Sequence, residues 1–154
     1  MKLKIVAVGN KCPQWIRTGY QEFAARLPRE AQLELIEIAP PPHQGDSGRY
    51  IAEEGRKILR QIHERDWVVA LDERGRMATS RELATEFERW LELGSDVVFV
   101  VGGSDGLDKG VTDRANATLS LSKLTLPHYL VRVVLAEALY RAWSIRVGHP
   151  YHRD

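Results

Sequence analysis

Cysteine is nearly absent from the sequence. Among its 154 residues only Cys12 carries a thiol, which excludes an internal disulfide and a zinc cluster built on cysteines. No purely apolar run exceeds that of residues 97–101, and the apolar stretch in the N-terminal MKLKIVAVGN is too short for a secretory signal. We therefore expect a cytoplasmic protein with no membrane partner, folded as a single domain over residues 1–154.

An excess of charge of one sign is also absent. The chain has 22 basic and 21 acidic residues and a net charge of +1, which does not by itself indicate a nucleic-acid partner. The distribution is uneven, because the segment from residue 124 to the end is basic while the rest is slightly acidic. The basic side chains of this segment are Arg132, Arg141, Arg146, Arg153, His128, His149 and His152.

The glycine motifs of the common nucleotide sites are missing as well. The turn after the first apolar run reads GNKCP rather than G-x-G-x-x-G, and no G-K-[ST] follows a glycine-rich turn. The turn GGSDG at residues 102–106 would let backbone N–H groups approach a ligand closely. A tight turn that needs glycine only for its conformation is an equally acceptable interpretation of GGSDG.

What the sequence does contain is a regular alternation of strand and helix patterns. Strands are predicted at residues 3–8, 33–38, 67–71, 97–101 and 118–124. Because parallel strands need crossovers, this alternation predicts an α/β fold with a mostly parallel sheet of five to six strands and helices on both faces. The runs at 67–71 and 97–101 lack polar alternation, which is typical of strands near the centre of such a sheet.

The helices are predicted from apolar spacings of three to four residues. Ser80 is expected to cap the third helix and Gly94 to end it. The segment 39–48, APPPHQGDSG, is expected to be an irregular loop. The five predicted helices cover residues 15–27, 50–65, 81–93, 107–115 and 129–147.

A ligand of an open α/β sheet lies beyond the carboxyl ends of its strands. Three turns meet that condition: the one that begins at Leu71, the GGSDG turn, and residues 122–130. The last of these has leucines at 124, 126 and 130, which are too apolar for a solvated loop. They either pack into the core or hold a flat heteroaromatic ring such as adenine, with main-chain amides on the edge of the ring.

The last helix has two apolar faces separated by a narrow polar band. One face needs the sheet, and the other predicts a symmetric dimer through a second copy of this helix. In the polar band, Glu137 and Arg141 are four residues apart and can form an ordinary helix salt bridge. One apolar face holds Val131, Val134, Leu135, Ala138, Ala142 and Ile145, and the other holds Ala136, Leu139 and Trp143.

The tail HPYHRD combines aromatic, imidazole and guanidinium groups. Its two histidines lack a third ligand at familiar spacing, so no metal site is predicted. The tail is interpreted either as a basic, stacking-capable strip for RNA or as a frayed terminus.

The full chain resembles the small SPOUT-superfamily methyltransferases that modify N3 of a pseudouridine in 23S ribosomal RNA. The resemblance rests on MKLKIVAVGNKCPQWI, ELIEI, VVALDERG, VVGGSDGL, SLSKLTLPHYLVRVVLAEALYRAWSI and HPYHR. It implies a C-terminal trefoil knot, a homodimer, and S-adenosylmethionine as the methyl donor for a nucleotide of the ribosome. The cofactor positions that it implies are Leu71, Gly103, Ser122, Lys123, Leu124, Thr125, Leu126 and Pro127.

For this reaction we expect His128, His152 and Arg153 to serve catalysis, with the tail supplied by either subunit. Tyr151 is expected to stack on the flipped base, and Arg132 and Arg141 to hold RNA phosphates or to order the dimer. Two rival interpretations are a non-enzymatic ribosome-associated factor and a flavodoxin-like nucleotide module.

Overall fold

The structure is a computed structural model that describes residues 1–42 and 47–153. Residues 43–46 of the predicted irregular loop and Asp154 of the tail lie outside the described residues. Strands and α-helices alternate along the chain, with one short 3-10 turn at Arg29–Ala31. The elements are β1 (Lys2–Val8), α1 (Gln14–Ala24), β2 (Gln32–Ile38), α2 (Ser47–Leu59), β3 (Trp67–Leu71), α3 (Ser80–Leu93), β4 (Val97–Val101), α4 (Lys109–Arg114), β5 (Ala117–Leu119) and α5 (Leu130–Val147).

The strands form one parallel sheet in the order β2-β1-β4-β3-β5. β4 is central and buried along its whole length, with Ile5 of β1 and Val69 of β3 opposite Phe99. The α/β fold class and the central places of β3 and β4 are confirmed. The trefoil knot that the resemblance implies stays a prediction.

Helices cover both faces of the sheet, as the strand pattern predicted. On one face, Ile5 and Phe99 pack with Phe87 of α3 and Leu135 of α5 in the larger core cluster, which Tyr20 of α1 also joins. On the other face, strand valines pack against α2 and α4 in a second cluster. Successive strand residues point to opposite faces, so a continuously apolar strand supplies both clusters at once.

Several predicted boundaries differ from the structure: α1 ends at Ala24 rather than residue 27, α2 begins at Ser47 rather than residue 50, and the ends of α2 and β5 differ most. The second helix ends at Leu59 rather than residue 65, and the guanidinium of Arg114 donates to the carbonyls of His63 and Asp66, at 3.0 and 3.1 Å. The last strand ends at Leu119 rather than residue 124. Beyond it, Ser120 donates its amide to the Arg76 carbonyl at 2.8 Å, which turns the chain out of the sheet.

The start of α3 is also one residue away from the prediction. Thr79, not Ser80, is the cap, because Thr79 and Glu82 form a reciprocal capping box with distances of 3.1 and 3.2 Å. Gly94 ends the helix in the left-handed conformation at φ 71°, as predicted.

α5 uses both of its apolar faces within one chain. It lies against α1 and α3, and none of its residues 130–145 is exposed. Leu135, Leu139 and Ala142 are fully buried, while Val131 and Trp143 are partly buried against the same cluster. The homodimer inferred from a second apolar face therefore stays a prediction. No helix in the described ranges has the length and apolar character needed to cross a membrane.

An ion pair between a buried arginine and a partly exposed glutamate fixes the start of α5 to the ends of β1 and β2. Arg132 is fully buried and donates to Glu37 Oε2 and to the Gly9 carbonyl, each at 2.7 Å. Its guanidinium also stacks over the Tyr129 ring, 4.7 Å from the ring centroid. The guanidinium of Arg132 therefore makes its contacts within the fold. The RNA contact predicted for Arg132 would need an exposed side chain, and this side chain is buried.

We expect Arg132→Ala to lower the free energy of unfolding by about 2 to 5 kcal/mol, because it removes a fully buried side chain and leaves the Gly9 carbonyl without its donor. Urea denaturation measures this change. The matched control is Arg17→Ala, which removes a half-exposed arginine 3.4 Å from the same Glu37 and should cost less than about 1 kcal/mol. Equal losses for the two variants would contradict the assignment of Arg132 to the fold.

Candidate active site

A cavity of about 590 Å³ lies beyond the carboxyl ends of β3, β4 and β5. Its volume is in the range of sites for small molecules and cofactors. The three turns singled out in the sequence all line it: the turn after Leu71, the GGSDG turn, and the segment that leads from β5 to α5. These turns are distant in sequence, and the parallel sheet brings them to one edge.

The GGSDG turn folds back on itself next to the cavity. The Gly106 amide donates to the Gly103 carbonyl at 3.1 Å, and Gly106 has a φ of 90°, which favours glycine. A Cβ on Gly102 would lie 2.6 Å from the Gly106 carbonyl oxygen, so this position needs glycine as well. The conformation of the turn thus requires glycine at 102 and 106. The third glycine of the turn, Gly103, is the one that the resemblance assigns to the cofactor.

Of the three leucines predicted in the segment from β5 to α5, Leu124 and Leu126 line the cavity and Leu130 does not. Leu124 is 76% exposed, so core packing is the wrong interpretation for this leucine. The Leu124 amide donates to Ser122 Oγ at 2.9 Å within the segment. Thr125 Oγ1 donates to Glu73 at 3.1 Å, which holds the segment against the turn after β3.

Six of the eight implied cofactor residues line the cavity. Lys123 and Pro127 lie in the same segment with exposed side chains, outside the lining. The six are Leu71, Gly103, Ser122, Leu124, Thr125 and Leu126.

Carboxylates dominate the charged groups of the cavity. Asp72, Glu73 and Asp105 line it, against the single guanidinium of Arg74 and the imidazole of His128. The Asp72 carboxylate accepts the Arg74 amide at 2.9 Å. Sequence reasoning placed Asp72 and Asp105 in two of the ligand turns but assigned a role to none of the four, although each follows β3 or β4 by a few positions. Such a lining attracts a cationic ligand and repels a phosphate.

His128 connects the cavity to the end of β1. Its ring lines the cavity, its Nε2 is hydrogen-bonded to the Val8 carbonyl, and its ring contacts Tyr129 at a centroid distance of 5.1 Å. The Tyr129 hydroxyl accepts the Lys11 amide at 3.1 Å. His128 is therefore held in one orientation by the neighbouring strand.

The tail is folded back on α5 and is not frayed over its described part. The Tyr151 hydroxyl donates to Glu137 at 3.0 Å, and Arg141 pairs with the same carboxylate at 2.6 Å. Arg141 also lies 3.1 Å from His152 Nδ1 and over the Tyr151 ring. The predicted Glu137–Arg141 salt bridge is confirmed, and the pairing raises the pKa of Arg141. Burial, followed by the hydrogen bond to Glu137, raises the pKa of Tyr151.

Within one chain the structure does not bring the three predicted catalytic residues together. His128 precedes α5, whereas His152 contacts Arg141, which is separated from Leu130 by about 16 Å of helical rise. Arg153 is exposed beside His152. In residues 1–42 and 47–153, no three His, Cys, Asp or Glu side chains lie close enough together to hold a metal ion.

Glu54 of α2 is a further residue that sequence reasoning missed. It lies beneath Gly103, is 2% exposed, and is not part of the cavity lining. Burial raises its pKa, and the Gly103 amide and the Tyr50 hydroxyl oppose that rise through hydrogen bonds. No sequence signal distinguished Glu54 from the neighbouring Glu53.

Comparison with known proteins gives a consistent result. The profile of a family described as predicted SPOUT methyltransferase matches residues 1–152. A protein of Hahella chejuensis named Ribosomal RNA large subunit methyltransferase H is 48% identical over 156 residues, covering all of both chains. A protein of the same name from Burkholderia thailandensis is 50% identical over 155 residues, covering 99% of each.

A solved structure supports the fold. The structure of a probable methylase family protein from Haemophilus influenzae matches with a TM-score of 0.58 and 13% identity. It covers 99% of this chain, which in turn spans 70% of that protein. At this identity the likeness shows the fold alone.

We expect the neutral ring of His128 to carry its proton on Nε2. This nitrogen is hydrogen-bonded to the Val8 carbonyl, which can only accept, so Nε2 must donate. Nitrogen-15 NMR at about pH 8, where an ordinary histidine is neutral, measures this directly. The His128 signals are assigned by their loss in a His128→Gln variant. A proton on Nδ1 would contradict the orientation described for this ring.

Proposed function

The chain belongs to the SPOUT methyltransferase family, and we propose that it methylates N3 of a pseudouridine in large-subunit ribosomal RNA with S-adenosylmethionine as the donor. The chain is thus an enzyme, which argues against a non-enzymatic ribosome-associated factor. The names of relatives that share about half of its residues over the full length support a ribosomal RNA substrate. The particular nitrogen and nucleotide follow from the resemblance.

The observation that carries the proposal is the cavity at the three strand ends. Its leucines suit a purine, and its carboxylates suit the positive charge of a sulfonium better than they suit a phosphate. This composition also argues against a flavodoxin-like module, which would need to hold a phosphate. The proposed donor contacts are the six lining residues, with Lys123 and Pro127 beside them.

When bound, S-adenosylmethionine would supply an electrophilic methyl carbon attached to a sulfonium sulfur. After transfer of the methyl group, that sulfur is a neutral thioether. The protein must hold the accepting nitrogen in line with that carbon, and positioning of this kind can supply roughly 7 to 11 kcal/mol. It must also take or stabilise the proton of the imide nitrogen. With Nε2 bound to Val8, the Nδ1 atom of His128 is the atom of this ring that we propose to accept it.

A second copy of the chain is proposed to complete the site. His152 and Arg153 lie along α5 at a distance from the cavity of their own chain, so their role in transfer requires a partner subunit that places its tail at this cavity. In that arrangement Arg153 would stabilise the developing anion and Tyr151 would contact the base. Arg141 would act by ordering the tail, because its guanidinium is held by Glu137.

The proposed reaction is tested on ribosomal RNA from cells that lack this protein. Mass spectrometry is expected to find a pseudouridine without its methyl group, and purified protein with S-adenosylmethionine should restore the methyl group on ribosomes from these cells. Flavin mononucleotide serves as the control ligand in calorimetry. It should not bind, because the carboxylates that line the cavity repel its phosphate. An unchanged methylation pattern in these cells would end the proposal.

We expect deletion of residues 151–154 to lower single-turnover methylation by at least about a hundredfold, the size of a lost proton-transfer or anion-stabilising group. Affinity for S-adenosylmethionine should stay within about threefold, because the tail does not line the cavity. Arg153→Ala in the full-length chain separates the charge from the packing of Tyr151. Loss of cofactor binding in the deletion variant, measured by calorimetry, would make the tail structural.

A further inference from the structure

Glu54 is a buried carboxyl that lies outside the cavity. Its side chain is 2% exposed, and its Oε2 atom has no hydrogen-bond partner in the part of the chain that the structure describes. A buried polar atom without a partner costs free energy, so local violations of this kind are expected at functional sites rather than in plain core. The residue does not line the cavity, so any effect on a ligand must pass through a neighbour.

That neighbour is Gly103, the glycine of the GGSDG turn that faces the cavity. A Cβ on Gly103 would lie 2.9 Å from Oε2 and 3.2 Å from Oε1 of Glu54. The carboxyl thus lies directly against the backbone of this residue, on the side away from the ligand.

The next residue of α2 contacts the far end of the same loop. A Cβ on Gly55 would lie 2.7 Å from Cβ of Asp108, whose carboxylate accepts the Gly110 amide at 3.0 Å and caps α4. Consecutive residues of one helix therefore hold both ends of the loop 102–108. The loop conformation depends on α2 as well as on its own glycines.

We propose that Glu54 is a positioning residue for the methyl-donor site. Its carboxyl group packs against the backbone of Gly103 and keeps the GGSDG turn in the conformation that leaves the cavity open. This inference rests on the proposed function, because it concerns the same donor site. Glu54 acts on the shape of the site, so it favours the bound donor and the transition state equally and affects KM rather than kcat.

The test compares three variants with one matched control. Glu54→Asp keeps the charge but is one methylene too short to reach the Gly103 backbone, and Glu54→Ala removes the contact. Both are expected to raise the KM of S-adenosylmethionine and the Kd of S-adenosylhomocysteine by about tenfold or more, with kcat within about threefold. Glu54→Gln keeps the size and shape of the side chain and should stay within about threefold of the wild type in every parameter. Glu53→Ala, one position earlier on α2, should change nothing.

Each result decides the matter. Wild-type donor affinity in Glu54→Asp would overturn the proposal even if Glu54→Ala does not fold, and thermal unfolding identifies that case. A loss of kcat with unchanged KM would also overturn it, since it would put Glu54 in the chemistry. Failure of the proposed function gives a different result: the wild-type protein then binds neither S-adenosylmethionine nor S-adenosylhomocysteine. If the wild type binds them but does not methylate ribosomal RNA, the affinities of the Glu54 variants can still be compared.

Discussion

Parallel pairing of β3, β4 and β5 is the constraint on which the candidate site depends. Parallel strands end at the same edge, so turns some 30 and 50 residues apart in sequence line one cavity. The buried run Val97–Val101 holds the arrangement together, because β4 lies between β1 and β3 and packs on both faces. Side chains of opposite character, leucines and carboxylates, then come from different turns of this one edge.

Sequence patterns predicted the parts of the fold that are decided locally. The apolar runs 67–71 and 97–101 and the stop at Gly94 were found at the stated residues, because burial on both faces and a left-handed cap leave a direct mark on composition. The ends of α2 and β5 were missed, and near both of them Arg114 and Ser120 make hydrogen bonds to residues over forty positions away, which a local pattern does not show.

Charge was the least informative pattern. Arg132 looked like an RNA contact in a basic segment, but a carboxylate 95 positions earlier makes it a core residue. Glu54 carries no distinguishing signal in the sequence, yet it is buried under the Gly103 turn. In both cases the partner is a backbone or side-chain group that only the tertiary fold supplies. The carboxylates of the cavity were readable only as positions that follow strands, without any indication that they would converge.

The exposure of Leu124 has a thermodynamic consequence for any ligand that covers it. A large aliphatic side chain held in water at a cavity rim keeps its hydration shell until a ligand displaces it. Association over this leucine should therefore carry a negative heat-capacity change, so that binding becomes more exothermic as the temperature rises.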